Sequence, residues 1–359
     1  MKLIIYQVEC GDAARMEYEG NDGQIHHILI DSGFERTFRN VLATEIKGIE
    51  NTHGQIDLWI ISHIHDDHIG GALAYIKRIR KGLLPDIVRR WVYNPPRGAM
   101  SILSGERDEV SVAKSIVQGD QLASYILSRE TKSDIDFTTS TESLDIHGLK
   151  ITFLSPDNST LAGLRKKYAI EKNIPFEREE NFTISTAKAA ATNDYATKLT
   201  DFDLDKSIED NSIENSSSIA VLTSFLGKYM LWLADAHPSL VVRSLQSLGY
   251  TTSNPLICDW VKLSHHGSSG NNLSSLFEIV RCNNFIISAN GNNKYRLPDK
   301  ACLAKILLNK YRPAEKCHLH FTYDNPTLRS IFSTDGPDVY EKLNFEAHFF
   351  SLPATPIDC

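Results

Sequence analysis

The stretch ISHIHDDHIGG, residues 61–71, places three histidines and two aspartates in six consecutive positions. Imidazole nitrogen and carboxylate oxygen together suit zinc, manganese or iron. The spacing shows how they could converge. Residues two apart on a strand face the same way, so His63 and His65 leave the end of the apolar strand LWIIS together. Asp67 and His68 follow in the turn before a helix, where the chain can swing a second pair toward the same point. Gly70 and Gly71 allow close approach of backbone and metal.

Two later apolar strands also end in ligand-type residues. YMLWLADAH ends in Asp235, and WVKLSHHGSS brings His265 and His266. A bare buried carboxylate is costly, so a cation is expected beside Asp235, although an aspartate there also suits the N-cap of the following helix. Water held between two metals loses its proton near neutral pH and can attack carbonyl carbon or phosphorus. Lys262, beside the histidines, and Arg296 would suit a phosphate oxyanion. Asn215, Ser217 and Ser218 could donate hydrogen bonds nearby.

The elements that must position these groups are legible as apolar runs. KLIIYQV and HHILIDSG read as strands flanking a turn around Gly20–Gly23. IDLWIISHIH reads as a strand buried on both faces, followed by the helix IGGALAYIKRIRKG. IVRRWVYNPP and GLKITFLSP are strands. DEVSVAKSIVQGDQLASYILSRE is a helix that Gly119 could break. SIAVLTSFLGKYMLWLADA reads as a hairpin turning at Gly227-Lys228. Then come a helix (PSLVVRSLQSLG), the strand DWVKLSHHG, the helix NLSSLFEIVRC, the strand NFIISANG, the helix DKACLAKILLNKY, and two closing strands, KCHLHFTY and NFEAHFFSL. The pattern predicts sheet layers covered by helices. A single domain over residues 1–359 is expected, with a polar insertion at about 165–215, helical in part around STAKAAATNDYATKL and too polar to form core.

Composition narrows the classes. Apolar residues make up 42% and charged residues 23%, which fits a globular protein. The net charge of −7 gives no global attraction to nucleic acid or anionic membranes. The six cysteines form no C-x-x-C pair, so neither a zinc knuckle nor a disulfide framework is expected. No apolar run approaches a membrane span, and a cytoplasmic location with reduced thiols is expected. Lys77, Arg78, Arg80, Lys81, Arg89 and Arg90 form a basic run, as do Arg165–Lys167. A solvated face is the commoner meaning of such runs, and nucleic-acid contact the sharper one.

HIHDDH fits the H-x-H-x-D-H signature of metallo-β-lactamase-fold hydrolases. The order of the other motifs resembles the β-lactamase-like domain of the bacterial competence DNA-uptake protein: ECGDA (9–13), ILIDSG with Asp31 and Gly33, NSSSIAVL, LADA, VKLSHHGS and ISANGNNKYRLP. The resemblance implies an α+β fold, an αββα sandwich with metals at one edge. It implies His63, His65 and Asp235 at one metal and Asp67, His68, Asp235 and His265 at the other, with Asp235 bridging. His265 is preferred to His266 because it comes first off the strand. Asp31 would orient a ligand histidine from behind. Asp67, Asp235, Lys262 and His266 are the expected catalytic groups, with two zinc ions as cofactors and manganese the alternative.

This sequence departs from the superfamily pattern twice. Where many members supply a histidine before the bridging aspartate, it has Asn215-Ser216, which leaves the first metal short of a ligand; His147, His237, His318 and His320 are possible replacements. The branch's Gly-His-Pro is Arg296-Leu297-Pro298. The expected activity is a phosphodiesterase or nuclease acting on DNA. By analogy with stand-alone relatives, it would be an effector of a bacterial anti-phage system with a partner from the same operon. A hydrolase of a small ester, lactone or thioester and a non-catalytic metal-binding module are the alternatives.

Overall fold

The computed structural model describes residues 1–96, 114–129, 136–168, 192–206 and 208–359. The strands among these are β1 (Lys2–Tyr6), β2 (Ala13–Glu19), β3 (Ile25–Asp31), β4 (Ile56–Ile60), β5 (Val88–Val92), β6 (Leu144–Ile146), β7 (Leu149–Ser155), β8 (Ala220–Phe225), β9 (Lys228–Trp232), β10 (Leu256–Ile257), β11 (Trp260–Lys262), β12 (Val280–Arg281), β13 (Asn284–Ile287), β14 (Cys317–Phe321), β15 (Phe345–Phe349) and β16 (Ala354–Asp358). They form a six-stranded sheet in the order β16-β1-β2-β3-β4-β5 and an eight-stranded sheet in the order β15-β14-β13-β11-β9-β8-β7-β6, with β10 and β12 paired apart.

Burial divides the apolar residues into three layers. Leu3, Ile28, Leu58 and Ile60 of the first sheet meet Ile151, Val221, Trp232 and Ile286 of the second between the sheets. The outer face of the first sheet packs Leu29, Trp59 and Trp91 under Ile69, Ala72, Tyr75 and Ile76 of the helix Asp66–Arg80 and under Leu122 of the helix Lys114–Leu127. The outer face of the second packs Leu231, Val261 and Leu319 under Val241 and Leu245 of the helix Pro238–Ser247 and Leu303 and Ile306 of the helix Lys300–Leu307. The result is helix, sheet, sheet, helix. All five residues of β4 are buried, as its unbroken apolar run predicts for a strand covered on both faces.

Several sequence expectations need correction. β2 lies between the first two expected strands, and β16 follows the expected last one. The helix Lys114–Leu127 passes through Gly119 without a break. Of the segment 165–215, residues 169–191 and 207 lie outside the described residues. The described remainder is not uniformly polar excursion: Tyr195 and Leu199 are buried in the core beside the second sheet. Residues 192–198 form turns, and only the short helix Leu199–Asp201 follows.

The topology brings strand ends to one place. β3, β4 and β5 run parallel, and so do β9, β11, β13, β14 and β15. Their C-terminal ends gather at a common edge, where the two sheets are joined by hydrogen bonds from Ile219 N to Ser62 O (3.0 Å) and from Ser288 Oγ to Gly11 O (2.6 Å).

Candidate metal centre

Each ligand-type residue sits just beyond a strand end. His63 follows β4, and His65 caps the helix that begins at Asp66. Asp235 follows β9, and His265 and His266 follow β11. The backbone there is contorted: φ is 55° at Asp31, 46° at Ala234, 44° at His265, 57° at His266 and 60° at Arg296. Left-handed conformations at residues other than glycine cost about 1–3 kcal/mol each and cluster at functional sites. Gly11 packs so closely on Asp67 that a Cβ would lie 2.2 Å from its carbonyl oxygen. Gly71 meets Ser32 O in the same way. The Gly70-Gly71 pair therefore seats the helix against the end of β3, and its role is backbone packing, not approach to a metal as expected.

The two oxygens of Asp235 face different sets of donors. Oδ2 lies 3.7 Å from His63 Nε2 and 3.8 Å from His265 Nε2, and His65 Nδ1 lies 3.0 Å from His63 Nε2. Oδ1 lies 3.4 Å from His68 Nε2 and 3.9 Å from His266 Nε2. Asp67 Oδ2 completes that second group, 3.4 Å from His266 Nε2 and 3.9 Å from His68 Nε2. A tetrahedral zinc ion bonded at about 2.0–2.1 Å sets its donors roughly 3.3–3.4 Å apart, so both groups are near metal-ligating spacing. The chemistry of the atoms agrees. His68 Nε2, His266 Nε2 and Asp235 Oδ1 are buried with no hydrogen-bond partner, which is costly unless an ion meets them.

The division corrects the expected ligand set. His266 stands with Asp67 and His68, the place expected of His265. His265 faces the other oxygen of Asp235, on the side of His63. Two successive left-handed residues turn both rings to one carboxylate, a geometry that simple strand alternation does not predict. His147, His318 and His320 lie elsewhere, and His237 caps the helix Pro238–Ser247.

The surroundings hold these rings in place. Asp31 accepts from Ser62 N at 2.7 Å and Ser62 Oγ at 2.9 Å, and lies 2.9 Å from His68 Nδ1. Asn271 Oδ1 lies 2.9 Å from His265 Nδ1, and Asp210 Oδ2 3.7 Å from it. Asn215 and Asn271 both donate to that Asp210 oxygen. Asp210 and Asn271 escape motif reading because neither ends an apolar strand; the asparagine and glycine around them read as loop. Ser218 Oγ lies 3.3 Å from His63 Nδ1 and accepts from Asp235 N, while Ser217 bonds Glu214 O. Asn215, Ser217 and Ser218 thus hydrogen-bond within the scaffold around the site.

Lys262 is a further correction. It is fully buried, its Nζ bonded to Asp12 and 3.4 Å from Ala234 O, beside the Trp232 ring. Strand β11 points it between the sheets, so it neutralises Asp12 and does not reach a substrate. Its catalytic assignment fails on that geometry.

Charge in the cluster is balanced by protons. Burial pushes the Asp67 and Asp235 carboxyls up, but the imidazoles of His68 and His266, with His265 for Asp235, outweigh it and hold both low. Burial opposes charge on His68, yet Asp235, Asp31 and Asp67 raise it well above the ordinary imidazole value. His266 is buried too, and Asp235, Asp12 and Asp67 push it up to about 9. His63 is pushed well down by burial and by His68 and His65. A buried nest of carboxylates that retains protons on imidazoles is one that a divalent cation can occupy in their place.

Much of the two basic runs is engaged in local packing and pairing. Lys77 lies ten residues beyond Asp67 on one helix, about 15 Å along its axis. Arg78 packs over Phe38 and Arg80 over Tyr125. Arg89 pairs with Asp57, Arg165 with Asp136 and Lys167 with Glu214. Arg296 is different: it is exposed in a loop whose Pro298 packs on Gly267 and whose Asp299 N bonds Gly267 O.

Among the described residues no helix is long and apolar enough to cross a membrane. Residues 23–104 match the metallo-β-lactamase superfamily model. The chain has no significant match among curated proteins. Among solved structures it is similar to the metallo-β-lactamase-fold protein YhfI of Bacillus subtilis, at 12% identity over 100% of each chain with a TM-score of 0.41. It is also similar to zinc-bound PqqB of Methylobacterium extorquens, at 11% identity over 100% of each chain with a TM-score of 0.44. The paired sheets with helices outside, and the match that spans β3 to β5 and the HIHDDH stretch, give this chain the metallo-β-lactamase fold.

Proposed function

We propose that the protein is a metal-dependent hydrolase of phosphodiesters, with DNA as its substrate. The division of donors between the two oxygens of Asp235 supports two metal positions. His63, His65 and His265 would hold one ion, and Asp67, His68 and His266 the other, with Asp235 shared. Zinc suits the nitrogen-rich set, and manganese is the alternative. When bound, such ions lower the pKa of water and polarise the oxygen under attack.

The chain's own groups would do the rest. Asp67, whose side chain is 22% exposed, is the most open of the carboxylates facing the histidines, and is placed to accept a proton from the attacking water. Asp31, Asn271 and Asp210 hold ligand rings in orientation. The observation that favours phosphorus over carbon is Arg296, exposed on the loop packed against the His265–Gly267 turn. A guanidinium matches two phosphate oxygens at once. It stands where the competence-protein branch has a Gly-His-Pro, and that resemblance supports DNA as the diester.

The test is a screen of metal-replete protein on single- and double-stranded DNA, a bis-aryl phosphate and a small aryl ester. Diester cleavage that is lost on chelation and in Asp235→Ala is expected. Ester turnover alone would move the assignment to small esters, lactones or thioesters. Bound metal with no turnover would make the chain a binding module.

A further inference from the structure

The face between two packed sheets is ordinarily apolar, yet at one end of the larger sheet it carries imidazoles. β14 and β15 pair in parallel with His318 opposite Glu346 and His320 opposite His348. Alternation puts all four side chains on one face. The neighbouring strand sets Ile286, part of the inter-sheet core, level with His320. These are the outermost strands of the sheet, on the far side of β13 from the ligand-bearing β9 and β11.

Three donor atoms converge there. His318 Nδ1 lies 3.0 Å from His348 Nε2. Each lies 3.7 Å from the same carboxylate oxygen, Oε2 of Glu346. Those separations bracket the roughly 3.3–3.4 Å expected for donors bonded to one tetrahedral ion at about 2.0–2.1 Å. The other Glu346 oxygen accepts from Lys316 Nζ at 2.6 Å, which keeps the carboxyl ionised and leaves Oε2 to the imidazoles. Behind them His320 stacks on His348 at 4.6 Å and lies 4.9 Å from the Trp260 ring. Its packing fixes the His348 plane.

A second cluster sharpens the argument by contrast. Asp22, His26 and His147 also lie together, but the two rings are stacked at 4.0 Å with planes 13° apart. Ring-nitrogen lone pairs lie in the ring plane, so these run side by side. Each nitrogen meets its own Asp22 oxygen, at 2.9 and 3.1 Å, as in ordinary hydrogen bonding. The His318 and His348 rings are tilted by 32° and share one oxygen.

We propose that His318, Glu346 and His348 form a second metal site, separate from the Asp235 centre, for zinc or a similar transition-metal ion. The three side chains are 32%, 46% and 39% exposed, so the fourth position opens to water. A bound ion would clamp β15 to β14 through side chains on both strands.

Zinc content and cobalt(II) spectra test the proposal without reference to hydrolysis. Asp235→Ala protein, loaded with cobalt and desalted, is expected to hold one equivalent more, with its tetrahedral visible absorption, than the same protein lacking His318 and His348. Adding His318→Gln and His348→Gln should remove that equivalent and its absorption. The wild-type chain should hold one more zinc than the His318→Gln/His348→Gln chain, whose melting and hydrolytic rate report that the fold and main centre persist. Equal metal content in those two, or a cobalt spectrum left unchanged by the glutamines in the Asp235→Ala background, overturns it.

Discussion

Lys262 and Asp12, 250 residues apart in sequence, form a charge pair sealed between the sheets, with neither side chain exposed. Breaking a buried pair by removing one partner strands the other charge and costs about 3–5 kcal/mol. Lys262→Ala is expected to destabilise the protein on that scale in denaturant melts, and to lower turnover of diester and ester substrates alike. A loss confined to diesters at unchanged stability would return Lys262 to the reaction.

Asp210 and Asp31 stand behind ligands that face different oxygens of Asp235. Each replacement by alanine should weaken one metal position and spare the other: by about 10–100-fold in affinity for Asp31, the usual effect of removing a ligand's hydrogen-bond partner, and by less for Asp210, which lies 3.7 Å from His265 Nδ1 and acts through Asn271. Zinc titration against a chelator of known strength would resolve two steps in the wild-type chain. Asp210→Ala should shift the step that His265→Ala also shifts, and Asp31→Ala the step shared with His68→Ala. Identical shifts from both would mean a single joint site.

Arg296→Ala should lower diester turnover by about 10²–10³, as for loss of one preorganised donor to a developing charge, and leave small-ester turnover near wild type. Its stability should hold, because the side chain is exposed. Paired rate measurements on the two substrate types decide it; equal rates with and without the arginine would remove the local reason for preferring phosphorus.

The metal-free chain should respond to pH in a definite direction. His266 is raised to about 9 in the folded, metal-free state, against about 6.5 for a free imidazole. A raised value means that protonation favours the folded form. This contribution is complete below about pH 6.5 and disappears as pH climbs toward 9. Thermal melts of chelated protein should therefore fall across that interval. Zinc should reverse the trend, since it displaces the proton, and its stabilising increment should grow with pH. A flat increment would show that His266 keeps its proton when metal binds.

The sequence makes the convergence of the ligand-type side chains more legible than their division into two groups. His63, His65, Asp67, His68 and Asp235 all follow apolar strands, and strand ends in a parallel sheet share an edge, so their convergence is legible from periodicity. The parting of His265 from His266 is not, because it depends on two left-handed backbone conformations that histidine rarely adopts. Lys262 misled for a related reason. A lysine among metal histidines suggests a phosphate contact, and only the depth of β11 and the position of Asp12 show that it points inward. β2 was obscured by its charged residues Arg15, Glu17 and Glu19, half of an alternating pattern whose other half is buried. β16 was obscured by Pro356, a residue that sheets tolerate chiefly at an edge, which is where β16 lies.

That edge has a consequence for how the protein assembles. The first sheet is closed by pairing Lys2 with Asp358 and Ile4 with Pro356, so its outermost ladder joins segments from opposite ends of the sequence. Contacts of such long range form late and slowly, because the loop entropy must be lost before they repay it. Until β16 docks, or whenever it frays, β1 offers a bare row of backbone donors and acceptors to any extended segment nearby. Once β16 is seated, Pro356 stands in the exposed outer strand and has no N–H to give an incoming chain. Self-association during refolding should thus depend on protein concentration early, and cease when the last strand is in place.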